Sequence, residues 1–166
     1  MSTPRRAATI GVYDWTLQEW LCALRGARAT QVLDIRQRRG VRGSSYAWAN
    51  SARLQTALAE AGIEYRHRKE LAPTTELREL QYREDDRLGV RKRSRVELAA
   101  EYRERYLREI LSRVALRPIV EAMPLHGAAA LMCVEADPEA CHRLLVAERL
   151  QAEFGLPVEH LRPPHD

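Results

Sequence analysis

At 166 residues, with 45% hydrophobic and 30% charged side chains and a formal charge of +4, the chain has the composition of one soluble globular domain. No apolar run approaches the ~20 residues that cross a bilayer, and the basic start Met1–Ala8 has no apolar stretch behind it, so neither membrane insertion nor secretion is expected. Cys22 stands far from Cys133 and Cys141, three cysteines cannot all pair, and a reducing, cytoplasmic setting follows.

Ala8–Tyr13 reads as a short apolar strand ending at Asp14, and Thr16 then caps an amphipathic helix through Leu17, Trp20, Leu21 and Leu24. Gln31–Arg36 (QVLDIR) is a second strand. Asn50–Ala61 is a helix carrying Leu54 and Leu58 and stopped by Gly62, and Ile63–Arg68 is a third strand of alternating character. The stretch around 72–96 reads as a charged, irregular insertion: a proline, repeated charges, then RLGVRKRSR. Glu97–Leu116 is a long amphipathic helix with Leu98, Tyr102, Tyr106, Ile110 and Val114 on one face.

The apolar run AAALMCV at 128–134 is a fully covered strand. Asp137 as N-cap and Pro138 as first helical residue then start a helix through Leu144, Ala147, Leu150 and Phe154, which Gly155 closes. Val158–Leu161 is the last strand. Strand and helix alternate, so the predicted fold is α/β: a single domain with a mostly parallel sheet of about five strands and helices on both faces.

Ligands of such sheets bind beyond the carboxyl ends of the strands. Those ends gather Asp14, Asp34 and Arg36, then His67, Lys69 and Glu70, then Cys133 and Glu135, with Arg162 after the last strand. The expected catalytic residues are Asp34, Glu135, Cys133 and His142. Expected ligand contacts are Arg36, Arg143, Arg38, Lys69, Tyr13 and Trp48.

Each has a plainer reading. Cys133 also reads as a small buried hydrophobe, Glu135 as an ion-pair partner of Arg36 or Arg143, and Cys141 as core packing on the helix's apolar face. Cys141 near a helix N-terminus also reads as a thiol of lowered pKa. QRRGVRG at 37–43, with Tyr46 and Trp48 behind it, reads as either a solvated loop or a base-stacking surface. Only Lys69 and Lys92 are lysines; the arginine excess suits bidentate contacts to anions, or reflects codon usage. Cys133 and Arg143 stand too far apart for a phosphatase-type cysteine loop. Zinc is not expected either, because the Cys133–Cys141 spacing matches no standard knuckle, and no other cofactor is expected.

TIG at Thr9–Gly11, LDIR at Leu33–Arg36, AGIEYRHRKEL at Ala61–Leu71 and above all LMCVEADPEACHR at Leu131–Arg143 resemble the domain-of-unknown-function 488 family over nearly the whole chain. The family pattern places His and Ser after TIG, where this chain has Val12 and Tyr13. The resemblance implies a small α/β fold with a polar pocket and no particular reaction. The expected function is therefore a small enzyme, a hydrolase or transferase, acting on a nucleotide, nucleic acid or other anionic substrate by acid–base or nucleophilic chemistry. The alternatives are a non-enzymatic nucleic-acid-binding module and a thiol redox or metal-binding protein.

Overall fold

The strand expected to be most deeply covered lies at the centre of the sheet. In the computed structural model, which describes residues 5–164, β4 (Ala128–Met132) is buried at every position and pairs in parallel with β1 (Arg6–Ile10) and β2 (Ala29–Asp34). The edges are β3 (Glu64–His67) beside β2 and β5 (Val158–His160) beside β1, giving five parallel strands in the order β3-β2-β4-β1-β5. The expected α/β class with a parallel sheet is what the chain adopts. Residues 1–4 of the basic start lie outside the described residues.

Helix α1 (Leu17–Gly26) starts at the expected cap: Thr16 Oγ1 accepts from Glu19 N at 3.2 Å, and Glu19 Oε1 accepts from Thr16 N at 3.0 Å. Its Trp20 and Leu24 are buried, and Trp20 Nε1 donates to Gly11 O at 2.9 Å. Helix α2 (Ser51–Glu60) buries Leu54 and Leu58. No helix among the described residues is long and apolar enough to cross a membrane.

Three segments depart from the sequence reading. The stretch 72–96 is not irregular: it contains α3 (Thr75–Leu88), capped by Thr74 Oγ1 accepting from Leu77 N at 3.1 Å and ended by Gly89 in the left-handed conformation. Its inner face is Leu77, Leu80, Gln81 and Asp85, half of it polar, so the apolar periodicity that announces a helix is missing. The expected helix 97–116 ends early, as α4 (Ala100–Glu109), followed by a 3-10 turn at Leu111–Arg113 and a short α5 (Leu116–Glu121). Pro118 sits in the first turn of α5, where proline is tolerated, but the chain has already left the helix at Ile110–Val114, where the sequence carries no breaker. The third departure is at the end of β4. Pro138–Ala140 form only a 3-10 turn, Cys141 is extended (φ −142°, ψ 150°), and α6 (Arg143–Phe154) begins later than expected. Cys141 therefore lies on no helix face.

β1 leaves its ladder at Gly11, after which Val12 N and Tyr13 N both donate to Val134 O, at 2.8 and 3.0 Å. This draws the backbone beyond β1 against the backbone beyond β4. A Cβ on Gly11 would stand 1.9 Å from Glu135 O, so only glycine fits. Gly11→Ala should lower stability by about 1–3 kcal/mol, seen as a fall in Tm of roughly 2–4 °C per kcal/mol. An unchanged Tm in thermal unfolding would refute the close approach.

Candidate functional site

Beyond the carboxyl end of β4 the chain runs through Cys133, Val134 and Glu135 and folds back to Cys141 and His142 at the start of α6. Arg143 holds this excursion shut: its guanidinium, fully buried, donates to Glu135 O at 2.6 Å and Ala136 O at 3.1 Å.

The fold-back brings Cys133 Sγ, Cys141 Sγ and a ring nitrogen of His142 within 4.8 Å of one another. His142 Nδ1 is 3.7 Å from each sulfur, while Nε2 lies 2.9 Å from Ile35 O. A carbonyl can only accept, so Nε2 carries a proton; Nδ1, facing the sulfurs, accepts in the neutral ring and donates in the protonated one. Tyr106 backs the imidazole, with ring centroids 5.4 Å apart, and is anchored by its hydroxyl donating to Leu71 O at 2.7 Å.

Burial opposes ionisation of Cys141, but the Cys133 thiol, the His142 ring and Arg143 prevail and hold its pKa well below the ordinary thiol range. Arg143 N also donates to Cys141 Sγ at 3.5 Å, at the N-terminus of α6. Cys133 goes the other way, pushed well up by its hydrogen bond to Cys141 and by burial. Burial also disfavours charge on His142, which Cys141 outweighs, raising it.

Glu135 is buried and paired, though not with the expected arginines. Arg95 Nη1 donates to its Oε1 at 3.1 Å, and the same guanidinium grips Asp85, with Nη2 to Oδ2 at 2.6 Å. Gln81 Nε2 donates to Asp85 Oδ1 at 2.9 Å, so α3 is wired to the end of β4 through buried charges. Glu135 Oε2 is buried without a hydrogen-bond partner. Burial and Cys141 push the Glu135 carboxyl up, against Lys92 and Arg95.

These groups face an inner cavity of about 50 Å³, lined by Cys133, Cys141, His142, Glu135, Arg95 and Tyr102 among others. At Arg38, Arg78, Tyr82, Lys92 and Val134 it meets a wider cleft of about 440 Å³, to which Tyr13 and Arg42 belong. Among the described ion pairs none involves Arg38, Arg42, Arg78 or Lys92. Arg78 donates only to neutral partners, Gln37 Oε1 at 2.8 Å and Tyr82 OH at 3.0 Å. Burial works against the Lys92 ammonium, but Glu135 together with Tyr82, Tyr13 and Cys133 overcomes it and raises its pKa.

Of the residues expected at a site, Cys133, Glu135, His142, Arg36, Arg38 and Tyr13 line these two cavities. Arg36 reaches them with each guanidinium nitrogen already bonded: Nε and Nη2 go to the two oxygens of Asp34 at 2.9 and 2.8 Å, and Nη1 goes to Ala49 O at 2.9 Å. Tyr65 OH donates to Asp34 Oδ2 at 2.6 Å, and Asp34 is fully buried. Asp34 and Arg36 are thus a closed pair that ties the end of β2, and Arg143 is a backbone clamp. Lys69 is exposed and, like Trp48, lines neither cavity; Trp48 packs on Trp20 at 5.4 Å. Arg78, Lys92 and Arg95 were not singled out from sequence. For Lys92 and Arg95 the signal in the sequence is the cluster RKRSR at 91–95, diluted by Glu84, Asp85 and Asp86; Arg78 lies outside it.

Fold and site together define a small parallel α/β protein with two thiols, an imidazole and a carboxylate converging beyond the central strand. The chain belongs to the family described as domain of unknown function DUF488, whose model matches residues 16–150. No curated protein and no solved structure is significantly similar to it.

Breaking a buried ion pair from one side typically costs about 3–5 kcal/mol. Asp34→Asn should therefore lower unfolding stability by that order, whereas Arg38→Ala, exposed and unpaired, should stay within about 0.5 kcal/mol of the wild type. Urea denaturation of both variants checks this; an unaffected Asp34→Asn would return Asp34 to the list of free catalytic groups.

Proposed function

We propose that this protein is an enzyme acting on an anionic substrate, of which a nucleotide or another phosphate-bearing molecule is the best fit. It uses acid–base or nucleophilic chemistry at the carboxyl edge of the sheet. The supporting observation is a cleft whose cations, Arg38, Arg42, Arg78 and Lys92, make no ion pair among the described residues, and which joins an inner cavity lined by Glu135, whose buried Oε2 has no hydrogen-bond partner among them. Unpaired cations around a concavity favour an anion over water, and guanidiniums suit phosphate and carboxylate oxygens.

In this reading Arg38 and Arg78 orient the anionic group, and Lys92 sits between them and the floor. Glu135 is the acid–base group: its pKa is raised by burial, the direction that readies a carboxyl to exchange protons near neutrality. Cys133 and His142 complete the floor. A reducing, cytoplasmic location agrees with three free cysteines. A second reading, binding of a nucleic-acid strand, draws on the width of the outer cleft and on Tyr13. Against it, the Arg93 guanidinium already lies 5.1 Å from the centroids of both Tyr13 and Tyr46, on faces that stacked bases would need.

Calorimetric titration with inorganic phosphate, pyrophosphate, AMP, ATP and a short single-stranded oligonucleotide, each at two salt concentrations, tests both readings. The enzyme reading expects a small phosphate ligand to bind, Arg38→Ala and Arg78→Ala each to weaken it by about tenfold or more, and Glu135→Gln to bind it without turnover. Binding of the oligonucleotide alone, with steep salt dependence, favours the second reading. No binding of any probe at low salt refutes both.

A further inference from the structure

The cavity floor has the geometry of a metal site. We propose that Cys133, Cys141 and His142 hold one divalent metal ion of soft character, zinc by its donor set, with a water in the fourth position facing Glu135. This deepens the proposed function, since it rests on the same cleft and names what would activate a nucleophile there.

The distances support it. Zinc binds thiolate sulfur at about 2.3 Å and imidazole nitrogen at about 2.0–2.1 Å, so a tetrahedral site has sulfur–nitrogen edges of roughly 3.6 Å. Both sulfurs stand 3.7 Å from His142 Nδ1. The ring is oriented as a metal ligand should be: Nδ1 turns its lone pair to the sulfurs while Nε2 donates to Ile35 O at 2.9 Å, the backbone anchor that commonly fixes a ligating histidine. The spacing that matches no zinc knuckle in sequence is closed in space by the fold-back between β4 and α6.

A second, independent observation is the orphaned Glu135 Oε2, buried in the same cavity. A buried carboxylate oxygen without a donor is costly and asks for a partner. Glu135 stands outside the set of mutually close ligand atoms but lines the same cavity, so it is not counted among the ligands. A water completing the tetrahedron would supply the missing donor. Three protein ligands plus water is the arrangement of catalytic zinc, whereas structural sites close with four. Lys92, Arg95 and the Arg143 guanidinium offset the negative charge of two thiolates and a carboxylate.

The experiment is a titration of the full-length, reduced, chelator-treated protein with Co²⁺ and Zn²⁺. It is followed by the sulfur-to-cobalt charge-transfer absorption, with metal counted per chain by elemental analysis and folding checked by circular dichroism. The expected result is one ion per chain, with the charge-transfer band weakened in Cys133→Ser and in Cys141→Ser and lost when both are substituted, at least tenfold weaker cobalt binding in His142→Ala, and no change in Cys22→Ser. Glu135→Gln should keep the metal. No uptake by the folded wild type, a band surviving both cysteine substitutions, or a band lost in Cys22→Ser overturns the proposal. So does reduced protein that takes no metal and forms a Cys133–Cys141 disulfide in air. Loss of metal in Glu135→Gln overturns the water-filled fourth position. None of these readouts needs a substrate, and anion binding by chelator-treated protein is measured separately, so this proposal and the proposed function can fail independently.

Discussion

The guanidinium of Arg143, sealed beneath the loop after β4, donates to two successive carbonyls, those of Glu135 and Ala136. Neither carbonyl belongs to a strand or helix, and that of buried Glu135 would otherwise lack a partner. From the opposite side the backbone of Glu135 is pressed onto Gly11, and Val134 O takes the amides of Val12 and Tyr13. A charged staple on one side and a missing side chain on the other thus fix a loop that regular secondary structure does not reach. Cys133 and Glu135 are aimed by that loop, and the turn it forces returns Cys141 and His142 to the same spot.

The arginines of this chain divide into two kinds by what their donors meet. Arg36, Arg95 and Arg143 are buried and spend their hydrogen bonds on carboxylates and carbonyls, holding β2, α3 and the β4 loop together. Arg38 and Arg78 reach the cleft with no acid to meet. Residue type says nothing about which kind a given arginine is; the difference lies in whether folding brings a carboxylate within reach. That is why Asp34 and Arg36, two residues apart at a strand end, looked in sequence like an active pair and are a finished one in space.

Much of the framework was legible because it follows from local rules: Thr16 as a helix cap, Gly155 as a stop, the unbroken apolar run of β4. The motif around Cys133, Glu135 and His142 was legible too, as a concentration of reactive side chains. Helix α3 was hidden because Gln81 and Asp85 occupy its inner face, and they are there because the site needs Asp85 against Arg95. The helical reading of Cys141 missed a change of backbone direction made for tertiary reasons. In both cases the local pattern was broken by the residues that build the site, which is where sequence periodicity is expected to mislead.

The position of β4 has a consequence for how the molecule comes together. β1 and β2 are joined by a single helix, yet they do not pair with each other; β4, contributed about a hundred residues later, lies between them and bonds to both. Without that strand the sheet falls into two separate pairs, β1 with β5 and β2 with β3. Contacts this distant along the chain make assembly slow and cooperative. The segment bearing the thiols and the carboxylate follows directly on the strand that joins these two pairs, so whatever loosens β4 loosens the candidate site with it.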